Sequence, residues 1–204
     1  RLVLFDSTAD VDARDIPLLP YVLHPYRAPW WQRFMSGEPP VRDLVYSFCG
    51  ALSYAPLLPD EHVRGGLFRR LAGHGNDFFI GTLADAKKTY GRRASYHTLF
   101  RRSTFTLCPA GFGRWTFRLA EALLYGSIPV LISDGYVPPY GDLVPWDELI
   151  VRCPENEVAG LDARLRQISH KEIAKRQEKI AAYRQFFTEQ GTHDRLAHAL
   201  RPKS

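Results

Sequence analysis

The chain has 204 residues, 45% of them hydrophobic and 24% charged, with a formal net charge of +5. At roughly 100–200 residues per domain, this fits one folded domain, or one domain with a fragment of another. The 15 Gly and 15 Pro follow no period and aromatics make up 13%, which excludes collagen, coiled coil and wholesale disorder. No apolar run approaches the roughly 20 residues a membrane span needs, so no transmembrane segment is expected.

Residues 1–40 are rich in Pro and Trp, with short strands expected at 2–5 and 21–24 and linker elsewhere. From residue 41 the chain alternates. Leu44–Cys49 reads as a strand ending at Gly50, and 62–72 as a helix with Val63, Leu67, Phe68 and Leu71 at helical spacing. A short strand follows at 77–80, a helix at Tyr96–Arg102 and a strand at 104–108. A helix at 115–125, closed by Gly126, precedes the strand Ile128–Ile132. A strand is expected at 148–151 and polar helices from about 155 to 200. Strands alternating with helices define an α/β class: a Rossmann-like parallel sheet with helices on both faces, spanning 41–204.

Of the 27 cations, 21 are Arg, a side chain that matches flat oxyanions bidentately. There is no basic-and-aromatic stripe of the kind single-strand binders use, so nucleic acid is not an expected partner. Cys49, Cys108 and Cys153 form no CxxC pair, and neither Asn76 nor Asn156 starts a glycosylation sequon, which favours a reducing compartment. A cytoplasmic location, with membrane association as an option, is the expectation.

Ligands of such sheets bind beyond the carboxyl ends of the strands. The segment after the strand at 104–108 is the most informative of these ends. Gly111, Phe112 and Gly113 lead into a helix, a place for anions, and Arg114 and Arg118 follow four apart, on one face of that helix. Glu121 lies one turn further on, where a carboxylate can accept from two ribose hydroxyls. The plainer alternative is an i,i+3 surface pair of Arg118 with Glu121. Gly111 to Thr116 also reads GxGxxT, one residue off a dinucleotide fingerprint, with Asp134 about 20 residues on. A nicotinamide-dependent oxidoreductase is therefore a competing reading, weakened by Thr116 in place of the third Gly.

The stretch STFTLCPAGFGRWTFRLAEAL from Ser103, with GSIPVLISD from Gly126 to Asp134, resembles the exostosin family of glycosyltransferases. So do VPPYGDLVPW from Val137 to Trp146, the F.G strand end at Phe48 and Gly50, Tyr96 and Leu99, and the ending at Phe186, Phe187, Thr188 and Gly191. The resemblance covers about 41–195. It implies the C-terminal, donor-binding half of a GT-B-type fold and an inverting transferase using a nucleotide sugar, usually a UDP-sugar, on a glycan or lipid-linked hydroxyl acceptor. Residues 1–40 would be the tail of an N-terminal acceptor domain plus linker, that domain being missing or replaced by a partner subunit. If the source is eukaryotic, a Golgi-lumenal domain is implied.

Carried over by position, the family's SFR..EA falls on Thr116, Phe117, Arg118, Glu121 and Ala122. Arg118 is then the pyrophosphate contact, Glu121 the ribose contact, and Arg64 an Arg of the loop after the F.G strand. Gly111, Gly113, Arg114 and Asp134 complete the expected nucleotide-sugar site. The chain departs from the family where Ala110 replaces a basic residue and where Phe112 and Gly113 replace twin arginines; Arg114 is the compensating candidate. These departures motivate an alternative, a non-catalytic subunit that binds a nucleotide sugar or a partner transferase. No general base is assigned among Asp6, Asp134 and Asp142, and His24 and His97 read as structural. Neither a DxD pair nor a His cluster is read as a divalent-ion site, so no metal and no other cofactor is expected.

Overall fold

The computed structural model describes residues 2–4, 16–18, 41–51, 64, 67, 71, 73–74, 76–111, 114, 116–138, 140–141, 143–188, 190–191, 193–194 and 197. Two short strands, β1 (Leu2–Leu4) and β2 (Ile16–Leu18), pair in parallel. The second was not expected, since its residues were read as linker; the strand expected at 21–24 lies outside the described residues.

The main sheet holds β3 (Leu44–Cys49), β4 (Gly73–His74), β5 (Phe78–Gly81), β6 (Ser103–Pro109), β7 (Ile128–Ile132) and β8 (Val151–Cys153) in the order β4-β5-β3-β6-β7-β8. All its pairings are parallel except β4 with β5. The helices are α1 (Leu83–Tyr90), α2 (Tyr96–Arg102), α3 (Arg118–Leu124), α4 (Trp146–Leu149), α5 (Leu161–Gln167) and α6 (His170–Tyr183). Arg64, Leu67 and Leu71 are also helical, in the span expected at 62–72.

Both faces of the sheet are covered, as the successive residues Phe79 and Ile80 of β5 show, since neighbours on a strand point to opposite sides. Phe79 packs with Ala86 of α1 and Leu99 of α2. Ile80 belongs to the larger cluster, with Leu67, Leu119 of α3 and Leu165 of α5. Strand β7 is buried along its whole length, as a strand covered on both faces must be.

Several local readings are corrected. Helix α1 went unread because its apolar stripe is thin, with Ala86 as its buried residue. Its start is fixed by a capping box in which Thr82 and Asp85 exchange side chain-to-backbone hydrogen bonds. The helix expected at 115–125 begins only at Arg118, with Phe117 as an N-cap that offers no side-chain hydrogen bond. The strand expected at 148–151 is displaced. Trp146 and Leu149 are both buried at i,i+3 spacing and acids fill the first turn, so α4 forms there and the strand starts at Val151.

The opposite end of the sheet is fastened by Arg42. Its guanidinium donates to the carbonyls of Phe100 (3.0 Å) and Arg101 (3.3 Å) at the end of α2, and to Tyr125 (3.0 Å) at the end of α3. One cation thus serves the negative ends of two helices. Gly126, at φ +69°, closes α3 in the left-handed conformation expected of it. A side chain there would meet Arg184 Nη2 at 2.9 Å and Arg42 Nη2 at 3.2 Å. Burial and the nearby Arg184 and Arg101 push the Arg42 pKa down to about 10, which still leaves it charged at neutral pH.

Candidate active site at the switch of strand order

After β3 the chain builds outward through β5 and then returns to lay β6 on the other side of β3. The strand order therefore reverses between β3 and β6, the place where open α/β sheets take their ligands.

Two arginines span this crevice in opposite directions. Arg118, from the helix after β6, donates through Nε (3.0 Å) and Nη2 to the carbonyl of Cys49, the last residue of β3. Arg64, from the helical segment after β3, donates through Nε to the carbonyl of Ala110, just past β6 (2.9 Å), and reaches the Ala51 carbonyl at 3.5 Å. Both guanidiniums lie over the ring of Phe48, at 5.1 Å for Arg118 and 5.6 Å for Arg64, and Arg118 is also 5.6 Å from the Tyr96 ring.

The two differ in what they offer a ligand. Arg64 is 3% exposed and holds the crevice together. Arg118 is only partly buried, and its Nη1 donates to no described residue, so two N–H groups remain for an oxyanion. The i,i+3 surface pair with Glu121 does not form, because the guanidinium goes to Cys49 instead.

The Glu121 carboxyl accepts no hydrogen bond from any described residue. Burial lifts its pKa above the ordinary 4.5, and the positive charge of Arg118 opposes the rise. Tyr96 stands close by, its phenol pushed up by burial and by Cys49 and Glu121. The Cys49 thiol is raised to about 11 by burial, with Arg118 acting against it, and is protonated at neutral pH.

The remaining expected residues separate into two groups. Gly111 is buried directly beyond β6, and Thr116 (5% exposed) accepts the Arg118 N–H at 3.4 Å and steadies the start of α3. Arg114 is not on the helix, so it does not share a face with Arg118. It is exposed and turned toward the loop after β7: its carbonyl accepts from Ser133 Oγ (2.7 Å), and a Cβ on Gly135 would lie 2.4 Å from its Nη1. Asp134 accepts from the Glu155 N–H at 3.1 Å while Glu155 accepts from the Asp134 N–H at 3.1 Å, a reciprocal clasp between the ends of β7 and β8. Gly113, Asp6, His24 and Asp142 lie outside the described residues. His97 is structural, with Nδ1 2.7 Å from the Tyr125 hydroxyl.

Phe48 and Gly50 were visible in the sequence only as a strand-end pattern, and Tyr96 only as a matching position; their roles around Arg118 emerge from the geometry. Among the described residues no group of three His, Cys, Asp or Glu is placed to hold a metal ion. The sequence does carry a DxD tripeptide, Asp10-Val11-Asp12, outside those residues. Paired carboxylates of that spacing are the kind that ligate hard cations, so the expectation of metal independence does not follow from the sequence. No helix among the described residues is long and apolar enough to cross a membrane.

A doubly covered parallel sheet with an arginine-lined crevice at its switch point defines the class: a Rossmann-like α/β domain. Residues 2–168 match the Exostosin GT47 domain. Over 162 residues the chain is 31% identical to a Physcomitrium patens protein named probable glucuronosyltransferase 47 A, covering 78% of this chain and 35% of that one. It is 42% identical over 88 residues to a probable glucuronosyltransferase of Oryza sativa subsp. japonica, covering 43% and 20%. It is 39% identical over 87 residues to the probable beta-1,4-xylosyltransferase IRX10 of Arabidopsis thaliana, covering 43% and 21%. The chain belongs to the exostosin GT47 family. It spans between about a fifth and a third of the length of the curated relatives it matches.

Proposed function

We propose that this domain binds the donor of an inverting glycosyltransferase, a nucleotide sugar and specifically a UDP-sugar, for transfer to a hydroxyl of a glycan or lipid-linked acceptor. The observation that carries the reading is Arg118 held across the switch point with its Nη1 donating to no described residue. Inverting transfer is a single in-line displacement: an acceptor oxygen attacks the anomeric carbon while the nucleoside diphosphate leaves. The charge developing on that diphosphate needs positioned cations. Arg118 supplies one from β3's end of the crevice and Arg114 a second from the β7 side, while Glu121 offers a ribose diol a carboxyl that accepts from no described residue.

The named relatives make UDP-glucuronate and UDP-xylose the first donors to examine. The engagement of Asp134 with Glu155 leaves its carboxylate poorly placed to serve a nicotinamide ribose, which supports the sugar donor over NAD. Ala110, where the family has a basic residue, supports a second reading in which the same site binds the donor without turning it over.

Thermal unfolding of the chain with UDP, GDP, CDP, NAD and the two UDP-sugars, with and without EDTA, tests the reading. Stabilisation by UDP and its sugars is expected, and the EDTA arm reads any metal requirement. A response to NAD alone overturns it. Release of UDP from a UDP-sugar in the presence of acceptor divides the transferase from the binding subunit.

A further inference from the structure

A guanidinium on a flexible stem loses rotamer freedom when it is fixed, so its value to a ligand depends on how firmly it is held beforehand. The structure shows what holds Arg118. The Cys49 carbonyl takes its Nε and Nη2, the Phe48 ring lies beneath it at 5.1 Å, and the Tyr96 ring stands at 5.6 Å. Gly50 supplies the space. A Cβ at this position would lie 2.5 Å from Arg118 Nη2, and 3.1 Å from both Arg118 Cζ and Phe48 Cζ. No side chain fits at residue 50 while Arg118 keeps this pose.

We propose that Phe48 and Gly50 form the seat of Arg118 and are positioning residues for the donor diphosphate; this rests on the reading of the switch point given above. Phe48 provides the face on which the cation rests, an interaction that strengthens away from water. Gly50 lets the guanidinium drop onto the Cys49 carbonyl, so that Nη1 is presented to the ligand in one orientation. The closest contact of an added Cβ is with the tip of a flexible side chain, not with backbone. Gly50→Ala therefore moves Arg118 and leaves the strand end in place.

The experiment is calorimetric titration of UDP into the chain and into Gly50→Ala, Phe48→Leu, Arg118→Ala and the doubles of the first two with Arg118→Ala, with an unfolding midpoint for each. Gly50→Ala is expected to weaken UDP about tenfold while moving the midpoint by no more than about 3 °C. In the Arg118→Ala background neither Gly50→Ala nor Phe48→Leu should weaken UDP further, the mark of residues acting through Arg118. Where Gly50→Ala fails to fold, the Phe48→Leu cycle decides. Effects that add to that of Arg118→Ala, or a Gly50→Ala that binds UDP normally, overturn the seat and leave the donor reading standing. An Arg118→Ala that binds UDP normally overturns the donor reading itself.

Discussion

Arg64 and Arg118 exchange strands: each stands on a helical segment that follows one of two neighbouring strands, and each hydrogen-bonds the end of the other. The Phe48 ring is common to both. This reciprocal arrangement ties the two strand ends to each other, and it divides the labour, because Arg64 is buried and Arg118 is not.

The division can be measured in stability. Arg64→Ala leaves the Ala110 carbonyl without its donor and opens a void, and is expected to cost about 3 kcal/mol. Arg118→Ala removes a partly exposed side chain and is expected to cost about 1 kcal/mol or less. Urea unfolding of both variants checks the order; equal costs would contradict it.

The raised Glu121 pKa gives donor binding a pH signature. As an acceptor for ribose hydroxyls the carboxyl must be ionised. Affinity for UDP is therefore full above its raised pKa and falls as pH drops through it, at a pH higher than the ordinary 4.5. Glu121→Gln should bind more weakly and lose that inflection. Folding stability responds with the opposite sign. The shift favours the protonated folded state, so this contribution is present at low pH and is lost as pH rises from 4.5 through the raised value.

His97 titrates the other way. Burial lowers its pKa below the ordinary 6.5, with Nδ1 beside the Tyr125 hydroxyl. Its contribution is present above pH 6.5 and is lost as pH falls through the depressed folded-state value. Unfolding free energy measured between pH 7.5 and 5 should fall, and His97→Gln should flatten the slope.

Phe187 has no exposed surface and packs against Trp146 at 5.4 Å between ring centroids. Phe187→Ala is expected to cost about 3–5 kcal/mol, the usual cost of emptying such a site. A cost under about 1 kcal/mol by denaturant unfolding would show that the segment after α6 is not part of the core.

The strands of the main sheet were the most legible part of the sequence. Leu44–Cys49 and Ile128–Ile132 announce themselves because parallel strands covered on both faces are continuous apolar runs. Short elements fixed by polar contacts were not so plain. Helix α1 is set by Thr82 and Asp85, and α4 by a pair of buried residues inside a stretch that also alternates. In the site, Arg118 and Glu121 were legible from motif position. The destination of Arg118 was not: a hydrogen bond to the carbonyl of Cys49, 69 residues away, is set by strand order, and spacing along one helix carries no trace of it. Arg114 was placed on a helix that starts four residues later because no capping side chain marks that start.

The central claim is that a nucleoside diphosphate binds at the junction of β3 and β6 through Arg118. Its most direct test is calorimetric titration of UDP into the unaltered chain and into Arg118→Lys. Lysine keeps the charge and loses the fork that reaches both Cys49 and the ligand. The account predicts saturable binding to the unaltered chain and at least about tenfold weaker binding to Arg118→Lys, about 1.4 kcal/mol, at an unchanged unfolding midpoint. Equal affinity in the two proteins would contradict it.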